Sequence, residues 1–280
     1  YMNISETWQF IGSPNIANLV GYEEIARKLD LIEDDPTPGT GDLSELIARI
    51  EALEAAVVGG SSFSLDLTAT YNILVLGRKV SNSDRANVEN ILTTRGHTLD
   101  KALYTDLPGI DVSGYDLLLV SHFDEDSTAD ERLIELYNSG TNILLGYQFE
   151  STTFLLTKLR ISGVARDDGP PSSYYVINNH PTLPGISEGE IVDLFKPTNW
   201  NIAATAPYVG TGLLVESGSG FEISSLVVEP GTKNLDGDVM PYAIGFTGLL
   251  YGRGTFTMQG QEHVDRLVRY VIQRNARLRG

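Results

Sequence analysis

Residues 115–146 read YDLLLVSHFDEDSTADERLIELYNSGTNILLG, and this stretch decides the fold class. Leu117-Leu118-Leu119-Val120 is an unbroken apolar run, which suits a strand buried on both faces. Leu133, Ile134, Leu136 and Tyr137 then recur at helical spacing until Ser139-Gly140 stops the helix, and Thr128 with Glu131 reads as a capping box at its start. Asn142-Ile143-Leu144-Leu145-Gly146 is a second buried strand. Strand, helix and strand at this spacing make a βαβ unit, and βαβ units build a parallel sheet with helices on both faces.

Upstream the rhythm is the same. Asn72–Leu76 is a short apolar strand ending at Gly77. A helix is predicted over 84–95, with Ser83 as its cap, Val88, Ile91 and Leu92 on one face, and Gly96 closing it. A further strand runs from His97 to Leu103. Beyond residue 160 extended segments take over, at 174–178, 191–195, 213–216, 225–229, 242–246 and 254–258. A closing helix from Gln261 carries Val264, Leu267, Val268, Val271 and Ile272 on one face. Arg274, Arg277 and Arg279 fall near its C-terminus, where the helix dipole favours cations. The expectation is one doubly wound, flavodoxin-like α/β domain over 71–280 with a mostly parallel sheet.

The first seventy residues are organised differently. Residues 1–35 hold Trp8, Phe10, Ile11, Ile16 and Leu19, too apolar for a solvated tail and too few for a core of their own. They read as an arm that docks on another protein. Pro36, Pro38, Gly39 and Gly41 make 36–41 a linker. Over 42–58, Leu43, Leu46, Ile50, Leu53 and Val57 alternate spacings of three and four, the seam of a coiled coil. β-branched residues at a with Leu at d favour two strands. Arg49-Ile50-Glu51-Ala52-Leu53-Glu54, in contrast, resembles the Arg-h-x-x-h-Glu motif of parallel trimers, in which Arg49 and Glu54 pair between chains. The trimer is the expected state, with a dimer or a helix packed on its own domain as alternatives. Residues 59–70, glycine- and serine-rich at the start, form a second linker.

Composition excludes several function classes. A formal net charge of −17 argues against nucleic acid and anionic membranes, both of which need a basic face. No segment has the ~18 unbroken apolar residues of a membrane span, so membrane insertion is not expected. No charged-then-apolar leader opens the sequence, which begins Tyr1-Met2. With no cysteine, there is no disulfide, thiolate metal site or thiol nucleophile. Asp124-Glu125-Asp126 and Asp236-Gly237-Asp238 offer oxygen ligands but lack the spacing of a calcium loop, so no metal or cofactor is expected. Gly77-Arg78-Lys79 could meet an anion at a helix start, but no phosphate-loop pattern accompanies it, and plain surface is the simpler reading. His97 and His263 read as surface or cap residues, and His180, before Pro181, as part of a turn.

The order of these parts resembles the class I glutamine-amidotransferase-like superfamily, nearest its ThuA-like branch. The resemblance rests on Asn72–Gly77, Gly114–His122, Ile143–Glu150, His180-Pro181 with Pro184-Gly185, and Tyr242–Met258. Catalytic members present a cysteine in a Gly-x-Cys-x-Gly turn between strand and helix. The corresponding turn here is Gly146-Tyr147-Gln148-Phe149-Glu150. Gln148 stands at the nucleophile position, and an amide cannot attack a carbonyl. Glu150 replaces the second glycine and crowds the oxyanion approach. The resemblance therefore implies a domain without amidotransferase activity. His122, Gln148 and Glu150 are the candidate ligand-binding residues at the sheet's carboxyl edge, where doubly wound folds take ligands.

An arm, a linker, a trimer-type stem and a thiol-less head in that order resemble the fibres and spikes of tailed-bacteriophage virions. That resemblance implies a homotrimer, attachment of residues 1–35 to a capsid, neck or tail protein, and a host-surface glycan as a candidate ligand, bound with avidity. The alternative is a soluble, cytoplasmic bacterial ThuA-like protein that processes or binds carbohydrate.

Overall fold

The computed structural model describes residues 2–4, 7–9, 63–77, 86–122, 126–146, 155–167, 174–194, 201–216, 223–248 and 256–279. The chain divides into two compact units, Tyr1–Phe63 and Ser64–Gly280. In the first, β1 (Met2–Ile4) and β2 (Thr7–Gln9) form an antiparallel hairpin with Trp8 opposite Asn3. Phe10, Ile11, Ile16 and Leu19 of the expected anchor, and the whole heptad stretch 42–58, lie outside the described residues.

The second unit is built on β3 (Asn72–Gly77), β4 (Thr98–Leu103), β5 (Leu117–His122), β6 (Ile143–Leu145) and β13 (Ile244–Thr247). These five are parallel neighbours in the order β4-β3-β5-β6-β13. Numbered by their own succession the order is 2-1-3-4-5, that of flavodoxin-like sheets. Beyond β13 the sheet continues antiparallel through β12 (Ile223–Val228), β11 (Thr211–Glu216), β8 (Tyr174–Val176) and β9 (Ile191–Val192). Two strands lie off this path and were not expected. They are β7 (Ser162–Asp167) and β10 (Asn201–Tyr208), paired antiparallel to each other. Their small and polar residues give no apolar alternation to read, and the register slips between Thr205 and Tyr208, beside Pro207, which has no N–H for the ladder.

Alternation along the buried strands sends side chains to two cores. Leu74, Leu76, Leu118, Val120, Ile143, Leu145, Ile244 and Phe246 pack with Leu133, Leu136 and Tyr137 of α2 (Ser127–Asn138) and with Tyr104 and Leu107 of the 3-10 helix η1 (Tyr104–Gly109). The opposite face is covered by α1 (Ala86–Thr94) and α4 (Met258–Arg279), which touch each other. Gly245 lets α4 approach: a Cβ there would stand 2.8 Å from Leu144 Cδ1 and 3.1 Å from Val271 Cγ2. The short helix α3 (Leu155–Lys158) follows β6.

Several boundaries differ from the sequence reading. Asp126 caps α2, its carboxylate accepting from Ala129 N–H at 2.9 Å. Thr128 therefore lies inside the helix, and the Thr128–Glu131 capping box does not form. The expected strand 254–258 is reduced at its described end to an isolated bridge residue, Phe256, because α4 starts at Met258, three residues before Gln261. Residues 66–71, mostly assigned to a linker, are tied to α4. Asp66 N–H donates to Gln273 Oε1 at 2.9 Å, Gln273 Nε2 donates back to Asp66 O at 2.8 Å, and Arg269 donates to Ala69 O.

Candidate functional site

The parallel strands end together at Gly77, Leu103, His122, Leu145 and Thr247, which defines the carboxyl edge of the sheet. His122 is in register with Gly77 across a bulge, and Gly146 N–H donates to Val120 O at 2.7 Å. The strands that lead to His122 and to the 146–150 turn are thus adjacent, at the rim that takes ligands in this class of fold. His122 is described by its backbone alone, and Gln148 and Glu150 lie outside the described residues. So do 78–85, 123–125 and 249–255, which follow Gly77, His122 and the end of β13 at this rim and include Arg78, Lys79, Asp124 and Glu125.

Beside the rim, β12 places Ser225 opposite Thr247. Ser225 Oγ is 3.1 Å from His263 Nε2, and His263 Nδ1 is 3.3 Å from Thr182 O. A carbonyl only accepts, so Nδ1 carries the imidazole proton and Nε2 accepts from the Ser225 hydroxyl. Burial pushes the His263 pKa down to about 4, against a smaller upward pull from the Thr182 carbonyl. His180, 4.5 Å from the Tyr270 ring and bonded through Nδ1 to Thr182, is pushed down to about 3 by burial and by His263. Hydroxyl, imidazole and acceptor in a row is the pattern of an activated nucleophile. Here Ser225, His263 and Thr182 are all 0% exposed, and the third partner is a carbonyl with no charge to stabilise an imidazolium. The row satisfies polar groups inside the α4–sheet interface. His97 is buried as well, so both histidines expected at the surface are core residues.

A second polar cluster forms where α2 begins. The Asp130 carboxylate is sealed from solvent, accepts from Tyr104 Oη at 2.6 Å and pairs with Lys158, whose side chain is 26% exposed. Burial first, then the bond to Asp130, raises the Tyr104 pKa far above its ordinary value, so the hydroxyl is a donor and not a base. Each oxygen of the Asp130 carboxylate thus has a partner, Oδ1 in Tyr104 and Oδ2 in Lys158.

The remaining candidates are structural. In 236–238, Asn234 Oδ1 accepts from the N–H groups of Asp236 and Asp238, and Asp236 pairs with Arg160 at 2.8 Å. Among the described residues no three acidic, His or Cys side chains are grouped to hold a metal, and no helix is long and apolar enough to cross a membrane. A shallow cleft of about 450 Å³ lies at the opposite, amino edge, lined by Asn72, Thr98, Asp100, Asp111 and Tyr115. Its carboxylates are used locally: Asp100 accepts from Tyr115 and Asp111 from Ser113 N–H.

The sequence reading missed the buried partners along α4. His263, Leu267, Val271 and Asn275 recur every four residues, so the apolar stripe itself points to the two polar positions as buried. Asn275 bridges the sheet's amino edge, accepting from Ala243 N–H at 2.7 Å and donating to Ala243 O and to Asn142 Oδ1.

No known family profile matches the chain, and no curated protein does. Solved structures do. The N-terminal domain of mmIFT52 superposes with a TM-score of 0.51 at 11% identity, over 72% of this chain and 97% of that one. They share a fold. A ThuA-like protein from Bacteroides uniformis (TM-score 0.44, 10% identity, 71% of this chain and 89% of that one) is among the neighbours. So is a glutamine amidotransferase from Thermotoga maritima (TM-score 0.41, 9% identity, 74% and 90%). At those scores the last two name what the chain is similar to and carry nothing further.

Proposed function

We propose that this chain is a non-enzymatic structural protein of a tailed-phage virion, a trimeric head, neck or tail fibre or spike. Residues 1–35 anchor it to another virion protein, 42–58 form the trimeric stem, and the α/β head faces outward with a host-surface glycan as its ligand class. The observation that carries the reading is the order of parts in the sequence: apolar arm, Pro/Gly linker, heptads with Arg49 and Glu54 at interchain positions, then the head. The absence of an enzymatic role is supported by Gln148 at the nucleophile position and by a sequence without cysteine. The one described Ser–His pair is closed to substrate, which fits the same reading.

Native mass measurement of the full chain tests the stem. A trimer that dissociates in the Arg49→Ala, Glu54→Ala double variant is expected, and a monomer in the unaltered chain overturns the proposal. Removing residues 1–35 should leave the trimer intact and abolish incorporation into particles. Retained incorporation would show that the arm is no anchor. Glycan binding by the trimer, lost with separated heads, is the expected sign of avidity. Turnover of a carbohydrate substrate would favour the ThuA-like alternative.

A further inference from the structure

We infer that residues 66–71, the segment through which the chain enters the head, are held by an acid-sensitive latch in which His97 is the proton sensor. The proposal does not depend on the virion reading.

Two side chains on successive turns of α4, Arg269 and Gln273, grip this segment, and Asp265 one turn earlier braces Arg269. Asp265 Oδ2 accepts from Arg269 Nε at 2.9 Å, Arg269 donates to Ala69 O, and Gln273 holds both backbone groups of Asp66 and donates to Tyr71 Oη at 2.9 Å. His97 completes the grip from the sheet side. Tyr71 N–H donates to His97 Nδ1 at 3.2 Å, and His97 Nε2 lies 2.9 Å from Asp265 Oδ1. The two rings stack with centroids 5.5 Å apart. A backbone N–H can only donate, so Nδ1 must keep its lone pair. The imidazole in this arrangement is neutral, with its proton on Nε2 donated to Asp265. Protonation puts a second N–H directly against that of Tyr71.

The groups facing the ring are Asp265 and Arg269 from α4 and Tyr71 from the entering segment. Asp66 lies beyond Arg269, and Asp116 binds Asn72 N–H. Burial works to raise the Asp265 pKa, but its bonds from His97 and Arg269 and the Arg269 charge hold it below the usual range. The carboxylate therefore remains ionised and accepts from Nε2–H whether or not Nδ1 carries a proton. The Asp265–His97 contact survives protonation. The Tyr71 contact does not. Six freed residues would add up to about 20 Å of reach to the tether in front of the head.

Hydrogen exchange of the full chain reads the latch. On acidification from about pH 7.5 to 5.5, the amides of 66–71 should lose about tenfold or more of their protection after correction for intrinsic rate. Leu118 and Leu119 in the central strand should lose only what the fall in global stability over the same interval costs them, as read from urea midpoints at the two pH values. His97→Gln, which retains polarity and cannot titrate, should remove the pH dependence. Equal protection of 66–71 at both pH values overturns the proposal, as does the same loss in His97→Gln. Where that variant does not fold, ¹⁵N signals of His97 in the unaltered chain decide. A change from the Nε2–H tautomer to imidazolium that tracks the loosening supports the latch. A ring that stays neutral while 66–71 loosens refutes it.

Discussion

Ser225 Oγ lies 3.1 Å from His263 Nε2, and neither side chain has any exposed surface. The pair has the connectivity of a catalytic dyad and none of its access. Its consequence is for stability, through the cost of charging a buried ring.

That cost gives a pH dependence with a definite sign. Unfolded imidazoles titrate near 6.5, whereas His263 and His180 remain neutral in the fold down to about 4 and about 3. Between those limits the unfolded chain binds more protons, so stability falls as pH falls below about 6.5. Across its window His263 should remove about 3 kcal/mol and His180 about 5 kcal/mol. Urea midpoints measured from pH 7 downward check this, and a midpoint that is flat from about 6.5 to 4 refutes it.

Lys158→Ala leaves the sealed Asp130 carboxylate with only the Tyr104 hydroxyl. Because Lys158 is itself 26% exposed, the loss should fall at or below the lower end of the about 3–5 kcal/mol seen when a buried pair is broken. Asp130→Asn keeps an acceptor for Tyr104 and should cost less. Equal losses for the two variants in denaturant titrations would mean that the ion pair carries no particular weight.

Gly260→Ala places a Cβ 2.0 Å from Leu194 O, a backbone atom that cannot swing away. Overpacking of about 1–3 kcal/mol or more is expected, with the start of α4 displaced from 191–194. Gly109→Ala, with nothing within 4 Å, is the control and should stay within about 0.5 kcal/mol. Thermal melts of the two variants make the comparison.

Alanine at His122, Gln148 and Glu150 together should leave the melting temperature and the mass of the assembly unchanged, while lowering affinity for any glycan the head binds. Collapse of the fold in this variant would mean that the three residues serve packing instead of a ligand.

The parallel half of the sheet was legible because its strands are unbroken apolar runs: Ile73–Leu76, Leu117–Val120 and Ile143–Leu145 have to be buried on both faces. The antiparallel half was legible only in part. Leu213, Leu214, Leu226 and Val227 stand out as apolar, but Ser162–Asp167 and Asn201–Tyr208 pair through backbone groups that every residue carries. The candidate site was named from the order of motifs, and the backbone places the strand ends before it on one rim. The buried histidines were misread because an isolated His in a sequence looks alike whether it meets water or a partner 38 to 168 residues away.

Local sequence, then, determined the apolar strands of the parallel half, the helices α1, α2 and α4, and that the head lacks a thiol, since those depend on apolar spacing and residue type. Only the tertiary structure decided that His97 meets Asp265, that Asn275 ties Ala243 to Asn142, and that 66–71 belongs to the head. Such bonds join residues far apart in the chain, and their strength comes from the removal of water, which happens only once the helices have closed over the sheet.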